Sequence, residues 1–499
     1  MRYLKSCVVA LAPMLCCVLT TVTYAGNFAN IRVDHQVPPY RPYRCDIALW
    51  QPDTSPPTVY VAFERYIVDI ASDIMFQKST DGGRTWLPED IVIEHTDVGI
   101  GVPRIGVDGA GRVFIFFWEK MTDFGSYIWC VRSLDHGSTW SPPVRVDDDT
   151  SDYTTARHVS IAFDTAGALV CTWHDNRTDS MEIWCSVSTD HGETWRENTR
   201  VTYNTGLQLG HSDPDLCVQP GTDDYLIAAE TEYDQPLDCV WPFLYRSTDG
   251  GLTWDGGVRF DSMVEQLPPS VIADRTHVIC ASTSEPNNSS RFSTYTRTLT
   301  SPDSWGPTAK VLDKTDLSSY DCPEMAMTPD GRVHLVQMVR NNLRSQTYDI
   351  RYFASSDFGA TWADQEIVNT DTAISCHHCC PKIAAGPDGS LCMVWYHTVL
   401  GPPRSQIWFA TNRALGVAEN RAAAPVCATG GESIISNGVL NLPEFRVPSG
   451  PPEAILVDIS GRIVAVLQSG PNDVSRVTTG VYFIAYSGNT LAHKVVILN

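Results

Sequence analysis

The stretch Ser188–Trp195, S-T-D-H-G-E-T-W, decides the fold because the chain repeats it. Four near-copies are STDGGRTW at 79–86, SLDHGSTW at 133–140, STDGGLTW at 247–254 and SSDFGATW at 355–362, and a shortened one is SPDSW at 301–305. The tryptophans that end the six stretches lie 54, 55, 59, 51 and 57 residues apart. This period is that of a four-stranded blade, so the sequence predicts an all-β propeller.

Each part of the repeated stretch has a mechanical interpretation. The Asp side chain can accept hydrogen bonds from its own turn, the Gly allows a positive φ, and the Trp ring can be buried in a blade. The pattern S-x-D-x-G-x-T-W is that of the Asp-box, and residues 27–414 resemble the sialidase-like Asp-box (BNR-repeat) propellers. We therefore expect a structural role, far from any ligand, for five aspartates: Asp81, Asp135, Asp190, Asp249 and Asp357.

The strand pattern between the boxes predicts seven blades in a propeller at 26–414. Inner strands are expected to begin near Cys45, Pro103, His158, Asp213, Pro269, Cys322 and Cys380. The last unit, Pro381–Arg413, is one strand short, whereas Asn30–Gln36 is in surplus and resembles the outer strand Val144–Asp148. We predict that Asn30–Gln36 pairs with the last blade and closes the ring, which removes an open sheet edge. The resemblance to sialidases implies six blades, which is the alternative.

Charge and the N-terminal segment bear on location and partners. The formal net charge is −22, which argues against nucleic acid and against anionic membranes. Residues 1–25 have a basic start, an apolar centre at Cys7–Val22 and a cleavage site at Thr23–Ala25, which predicts a signal peptide. No other apolar run reaches the length of a membrane span. We expect a protein that is secreted or held at the bacterial cell surface, with an extracellular glycan or protein as its partner.

The C-terminal residues predict a second, small domain. Residues 454–468 read as two strands joined at Ser460-Gly461, and Gly480–Tyr486 forms a hairpin pattern with Ala492–Asn499. The pair D-x-x-G-R-x-V and G-V-Y-F…K-V-V-I-L resembles the type A sorting domain of the type IX secretion system. The resemblance implies a β-sandwich at 438–499, export through that machinery, and a linker at 415–437. An ordinary small β-sandwich is the alternative.

In propellers, ligands usually meet the face formed by the loops that precede the inner strands and the loops between the second and third strands. On this face the sequence places charged and aromatic residues in nearly every blade. The candidate ligand-face residues are Arg44, Arg104, Arg157, His158, His174, Asp175, Arg177, His211, Asp213, Asp321, Glu324, Arg340, Tyr396 and His397.

The resemblance to sialidases implies a specific set of residues, and the match is incomplete. A sialidase needs three Arg for the substrate carboxylate, a Tyr nucleophile with a Glu base, and an Asp acid. The R-I-P pattern of the family appears only as Arg44-Cys45-Asp46 or Arg104-Ile105-Gly106, and no Tyr is marked as a nucleophile. We therefore expect a non-catalytic propeller that binds glycan or protein, with an exo-α-sialidase-type glycoside hydrolase as the alternative.

Two further motifs have competing interpretations. Trp173–Arg177, W-H-D-N-R, is either an ion pair that joins blades or part of the ligand face. Cys376–Cys380, C-H-H-C-C, contains metal-ligand types, but no second Cys pair completes a zinc set, so disulfide bonding or packed thiols are favoured. We expect no metal and no cofactor. Because Cys45 and Cys380 begin the inner strands that meet where the ring closes, we predict a disulfide from Cys45 to Cys379 or Cys380.

Overall fold

The chain divides into two compact units, Met1–Ala418 and Glu419–Asn499. The computed structural model describes residues 28–36, 40–53, 55–67, 71–97, 99–120, 125–151, 153–203, 208–233, 239–260, 268–284, 293–301, 304–312, 318–319, 323–340, 348–363, 366–369, 376–399, 405–412, 433–435, 439–442, 454–458, 463–467, 470–474, 477, 480–486 and 489–497. Within these ranges the chain forms strands and turns and no α-helix. The predicted signal peptide at 1–25 and most of the predicted linker at 415–437 lie outside them.

The first unit is a seven-bladed β-propeller, which confirms the predicted fold and blade count. Each blade is an antiparallel sheet that runs from an inner strand to an outer strand in chain order. Blade 1 consists of Arg41–Trp50, Thr58–Ile67, Ala71–Ser79 and Ile91–Thr96. Blade 2 consists of Ile100–Val107, Val113–Lys120, Ser126–Ser133 and Val144–Arg145. Blade 3 consists of Arg157–Phe163, Leu169–Asp175, Glu182–Ser188 and Thr199–Arg200.

Blades 4 to 7 follow the same plan with small additions. Blade 4 consists of Gln208–Gln219, Asp224–Tyr233, Cys239–Ser247 and Val258–Arg259; blade 5 of Ser270–Ala273, Val278–Ser284, Ser293–Ser301 and Ala309–Lys310, with Ser304–Trp305 also paired to its third strand. Blade 6 consists of Glu324–Met327, Val333–Arg340, Tyr348–Ser355 and Glu366–Ile367, with Ser318–Ser319 beside its second strand. Blade 7 consists of Cys376–Ala385, Leu391–Val399 and Ser405–Thr411.

The outer strand of blade 7 comes from the other end of the chain. Ala29–Arg32 pairs antiparallel with Ser405–Thr411, so the ring is closed as the strand count predicted, by a strand shorter than the expected Asn30–Gln36. Just beyond it, Asp34 Oδ1 accepts a hydrogen bond from the Ile407 N–H at 2.6 Å. In blade 2, Asp147 accepts from the Ile128 N–H at 2.7 Å in the same way. The R-V-D sequence shared by the two outer strands therefore performs the same task in both blades.

Four of the five Asp-boxes have one hydrogen-bond pattern, shown here for blade 3, and in the fifth the Ala360 N–H bonds the Asp357 backbone carbonyl at 3.2 Å instead of the side chain. Asp190 Oδ1 accepts from the Ser188 hydroxyl at 2.7 Å and from the Glu193 and Thr194 N–H groups at 3.1 and 2.9 Å. Its Oδ2 accepts from the Thr194 hydroxyl at 2.5 Å. Ser188 in turn accepts from the Gly192 N–H at 2.8 Å. The boxes are thus self-contained turns, as their composition indicated.

The boxes also fasten each blade to the one before it. In blade 1, a Cβ on Gly83 would lie 2.1 Å from Phe409 of blade 7, and the Trp86 ring contacts that phenylalanine edge-on at 5.2 Å between centroids. In blade 2, Gly137 and Trp140 meet Phe76 of blade 1 in the same manner. The glycine is required both by its positive φ and by this close approach.

Cys45 corrects one expectation about the closing seam. Its thiol is free, so the predicted disulfide to Cys379 or Cys380 is not formed, although all three residues belong to one apolar cluster between blades 7 and 1. Burial raises the pKa of the Cys45 thiol, which keeps it protonated and poorly reactive. At this seam Cys45 acts as a packed core side chain.

The C-terminal unit contains one five-stranded and one two-stranded sheet. The larger sheet has the order Ser433–Ile435, Asn489–Ile497, Gly480–Tyr486, Ala454–Asp458, Ile463–Leu467, and the smaller pairs Val439–Leu442 with Gly470–Asp473. Both hairpins predicted from the sequence are present as antiparallel pairs. Leu456, Leu467 and Val474 are fully buried, which gives this unit apolar packing of its own.

Candidate ligand site at the propeller mouth

The central cavity, which we call the mouth, lies where the inner strands begin. It has a volume of about 240 Å³. All seven blades contribute one short segment each. The segment of blade 5 consists of Pro268 and Pro269. The charged and polar lining residues are Arg44, Cys45, Arg104, His158, Asp213, Asp215, Glu324, Cys380 and Lys382. Five of the predicted ligand-face residues therefore meet here: Arg44, Arg104, His158, Asp213 and Glu324.

The backbone at the mouth is strained in a repeated way. Five residues at the same blade position have left-handed φ values although none is glycine: Arg44 (27°), Val102 (50°), His158 (54°), Asp213 (49°) and Cys380 (47°). At each of them the pairing register of the inner strand shifts, as in a β-bulge. Such conformations cost about 1–3 kcal/mol each and cluster at functional sites, where they direct a side chain.

Polar side chains two residues further along join blade 1 to 2, blade 2 to 3 and blade 4 to 5. The Ile105 N–H donates to Asp46 at 2.9 Å, and the Val271 N–H donates to Asp215 at 2.8 Å. Arg104 Nε donates to the Val159 carbonyl at 2.8 Å. Inner strands of neighbouring blades do not pair, so these side chains satisfy backbone groups that would otherwise be unpaired. Arg104 and Asp215 therefore belong partly to the scaffold of the mouth.

His158 and Asp213, from blades 3 and 4, form the central pair of the mouth. His158 Nδ1 lies in direct contact with Asp213 Oδ1. The His174 ring stacks on the His158 ring at 4.9 Å between centroids, and its Nδ1 accepts from the Asp213 N–H at 3.1 Å. Burial lowers the pKa of His174 to about 4, so this second imidazole is neutral. The His158 plane is thus fixed from two sides.

Glu230 completes this cluster from behind. The Ser212 hydroxyl donates to its Oε2 at 3.4 Å. Burial, and next the charge of Asp213, raise the pKa of Glu230 well above its usual range. Burial alone would raise the pKa of Asp213 too, but hydrogen bonds and charge interactions, led by those of His158, together lower that pKa. Their surroundings therefore move the two pKa values in opposite directions, which favours the ionised form of Asp213 and the protonated form of Glu230.

Among the described residues, Arg44 is the mouth cation that has all of its donors left for a ligand. Arg104 is bonded to a carbonyl, and Lys382 Nζ forms an ion pair with Glu324. The Arg44 guanidinium lies 5.7 Å from the Tyr43 ring and has no hydrogen-bond acceptor among the described residues. Glu64 lies behind it, where burial raises the pKa of that carboxyl despite the arginine charge. A guanidinium in this state matches a carboxylate or sulfate group.

Apart from His174, the W-H-D-N-R motif lies away from the central cluster and joins blades 2 and 3. Arg177 donates to Asp175 from Nε and NH2, and from NH1 to Asp148 at 2.7 Å, while its guanidinium lies 4.2 Å from the Trp184 ring. The Trp173 indole donates to the same Asp175 at 2.9 Å. With its donors directed to these groups and 11% of its side chain exposed, Arg177 has the contacts of a brace.

The other predicted residues are distributed behind or beside the mouth. His211 is buried against Thr231, with its pKa lowered to about 4 by burial. Tyr396 is buried 4.4 Å from the Tyr43 ring, and His397 is buried next to it in the second strand of blade 7. Arg157 is exposed over Trp118, and Arg340 ends the second strand of blade 6. Asp321 lies outside the described residues.

The sequence list missed two residues that line the site, Lys382 and Asp215. Both lie two residues after a left-handed residue, as Arg104 does, so aligning the five blades that have this bulge would have found them. Among the described residues, no group of three or more His, Cys, Asp or Glu is placed to hold a metal ion. The side chains of Cys376, His377 and His378 lie outside that set. The same residues contain no helix that could span a membrane.

Comparisons with known proteins agree with the fold. Residues 68–270 match the family description "BNR repeat-like domain". An ulvan lyase bound to -[GlcA(1-4)Rha3S]- is similar at TM-score 0.50 and 11% identity, over 77% of this chain and 94% of that one. A protein of unknown function from Dyadobacter fermentans has TM-score 0.47 and 15% identity, over 77% and 97%. A Hadza microbial sialidase has TM-score 0.45 and 13% identity, over 70% and 73%. At these identities the likeness concerns the fold alone.

Proposed function

We propose that this protein is an extracellular propeller that binds a carboxylate- or sulfate-bearing glycan at its mouth. The observation that carries the proposal is Arg44: a guanidinium held by a strained backbone at the cavity, with no acceptor of its own among the described residues. His158, whose Nδ1 faces Asp213, presents its other ring nitrogen on the same cavity. A ligand with an anionic group and hydroxyls matches this guanidinium donor and this imidazole nitrogen.

The propeller fold supports a glycan as the ligand class, because the ulvan lyase of the same fold binds an acidic oligosaccharide. A sialidase-type hydrolase is not favoured. The lining of the mouth contains two arginines, Arg44 and Arg104, and no tyrosine among the described residues. The tyrosine of the candidate list, Tyr396, is buried and hydrogen-bonded towards Tyr43, and burial raises its pKa, which is the reverse of nucleophile activation.

The test is a glycan array probed with the purified full chain. It should include glucuronate-, galacturonate-, sialate- and sulfate-bearing oligosaccharides together with their uncharged methyl esters or unsulfated forms. We expect binding of acidic glycans, loss of binding to the uncharged forms, and at least a tenfold weaker affinity for Arg44→Ala. Arg84→Ala, on an exposed Asp-box turn, is the matched control. Equal binding by both variants would overturn the proposal.

We further propose that the C-terminal unit directs export through the type IX machinery, supported by the sequence resemblance of 454–499. The test is expression in a type IX-competent host with and without 419–499. Secretion of both forms to the medium would contradict this role.

A further inference from the structure

The mouth differs from the rest of the propeller in how little its residues repeat. The Asp-box has the same Ser, Asp, Gly, Thr and Trp in five blades because its task is structural in each. The left-handed position at the mouth holds instead Arg44, Val102, His158, Asp213 and Cys380. The backbone device is retained while its side chains diverge, which is the pattern of a scaffold that serves one asymmetric site.

Within that ring, His158 has the contacts of a positioned base. Nδ1 faces Asp213, so the proton of the neutral imidazole resides there and the Nε2 lone pair is left for a ligand. His158 Nε2 has no partner among the described residues, and 41% of the side chain is exposed at the cavity. The stacked His174 fixes the ring plane, and being neutral it adds no repulsive charge.

The carboxyl groups of the cluster do not suit glycoside hydrolysis. A hydrolase sets two carboxyl groups on opposite sides of the scissile bond, about 5–9.5 Å apart. Here Glu230 is not part of the cavity lining and Asp213 is engaged by His158. The groups presented to a ligand are an imidazole and a guanidinium. That combination suits removal of a proton from the carbon next to a carboxylate, because the cation stabilises the charge that develops on the carboxylate.

We propose that the mouth cleaves a uronate-containing glycan by β-elimination, with His158 as catalytic base, Asp213 as its positioning residue and Arg44 on the uronate carboxylate. The proposal rests on the glycan-binding function proposed above. His158 Nε2 takes the proton from the carbon that bears the carboxylate. The electron pair of that C–H bond forms a double bond to the neighbouring carbon, and the glycosidic C–O bond there breaks. The departing oxygen takes up the proton from His158, which restores the base, and no water is consumed.

Glu230 supports this step as a neutral hydrogen-bonding neighbour of Asp213. If both carboxyl groups were ionised, their repulsion would weaken the hold on His158. The raised pKa of Glu230 favours its protonated form, which leaves the negative charge on Asp213, the carboxyl that faces the imidazole. Glu230→Gln keeps a neutral hydrogen-bonding group next to Asp213 but cannot transfer a proton. We expect this variant to retain activity, whereas loss of activity would indicate that Glu230 itself transfers a proton.

The experiment uses the full chain with pectate, polyglucuronate, alginate and the acidic glycans that bind on the array. Cleavage is followed by the ultraviolet absorbance of the new double bond and by product masses. Elimination gives product masses that sum to the substrate mass, whereas hydrolysis adds one water. We expect His158→Asn to lower kcat by about 10²–10⁴-fold with little change in KM. Asp213→Asn should lower kcat likewise, with partial rescue in Asp213→Glu.

The possible failures are distinguishable. Binding that depends on Arg44 without cleavage of the bound glycan would overturn the catalytic inference and leave the proposed function standing. Products that have gained water would overturn elimination in favour of hydrolysis. Binding of none of these glycans would overturn both proposals together. Arg84→Ala should cleave at the wild-type rate, and parallel urea unfolding of every variant separates loss of chemistry from loss of fold.

Discussion

Removal of one Asp-box carboxylate tests whether these turns are structural. We expect Asp190→Ala to lower the free energy of unfolding and to leave glycan binding unchanged. The aspartate accepts four hydrogen bonds, two from backbone N–H groups and two from hydroxyls, at 2.5–3.1 Å. Losing a carboxylate that caps backbone N–H groups costs about 0.5–2 kcal/mol at helix N-termini, the nearest measured analogue.

The structure places the expected cost within that range. The Glu193 and Thr194 donors are exposed, so water replaces the lost acceptor and keeps the cost of these two bonds low. The Ser188 hydroxyl is buried at 1% exposure and has no such replacement, which raises the cost. We therefore expect about 1–2 kcal/mol for Asp190→Ala. Asp190→Asn retains Oδ1, which accepts three of the four bonds, and should cost under about 0.5 kcal/mol.

Urea unfolding of both variants at pH 7 measures this difference. The pH dependence has a defined sign: burial would raise the pKa of Asp190, but hydrogen bonds led by that from Thr194 lower it to about 2. Its stabilisation is therefore complete above the unfolded pKa near 4 and is lost as the pH falls towards 2, so the wild type should approach Asp190→Asn over that interval. Equal stability of Asp190→Ala and wild type, or loss of glycan binding in Asp190→Ala, would refute the structural assignment.

Three further predictions follow from the packing between blades. Gly83→Ala should destabilise more than Gly389→Ala. Both glycines have a positive φ, +91° and +80°, but only Gly83 lies against Phe409, so the difference in unfolding free energy measures the cost of that contact. Equal unfolding free energies of the two variants would contradict this prediction. Arg177→Ala should cost about 3–5 kcal/mol by leaving the buried Asp175 unpaired, with the glycan affinity of the folded variant unchanged, as titration calorimetry will show. Asp34→Ala should cost about 1–3 kcal/mol in urea unfolding, since the buried Ile407 N–H loses its acceptor, and an unchanged midpoint would refute this.

The repeat made the scaffold predictable from sequence. The Asp-box spacing gave the blades, and the R-V-D sequence at Arg32–Asp34 matched that at Arg145–Asp147 because both aspartates cap the same strand position. Because the Asp-box and the R-V-D sequence occur in more than one blade, each copy strengthens the prediction made from the others. The predicted disulfide of Cys45 was wrong. Equivalent positions in neighbouring blades bring Cys45, Cys379 and Cys380 into one apolar cluster, but they do not fix the directions of the side chains.

The mouth was only partly predictable because its chemistry does not repeat. The candidate list contained His158, Asp213 and Arg44, yet nothing local distinguished them from Arg177, which belongs to a brace. What distinguishes them is the left-handed backbone at a register shift. His and Asp adopt this conformation more often than most non-glycine residues, but the preference is too weak to single out two positions, and Arg44 has no such preference. The pairing of His158 with Asp213, 55 residues apart, is likewise a property of the assembled ring.

The backward packing of the boxes has a consequence for the order in which the chain acquires its structure. During synthesis from the N-terminus, the box of blade 2 finds Phe76 of blade 1 already made. The box of blade 1 instead contacts the last blade, because Gly83 and Trp86 pack against Phe409 of blade 7. The strand Ala29–Arg32 also pairs with blade 7. These N-terminal segments therefore cannot complete their contacts until the last blade has been synthesised. Contacts of this sequence separation form slowly, which leaves the first blade exposed to proteases and chaperones until the last is complete.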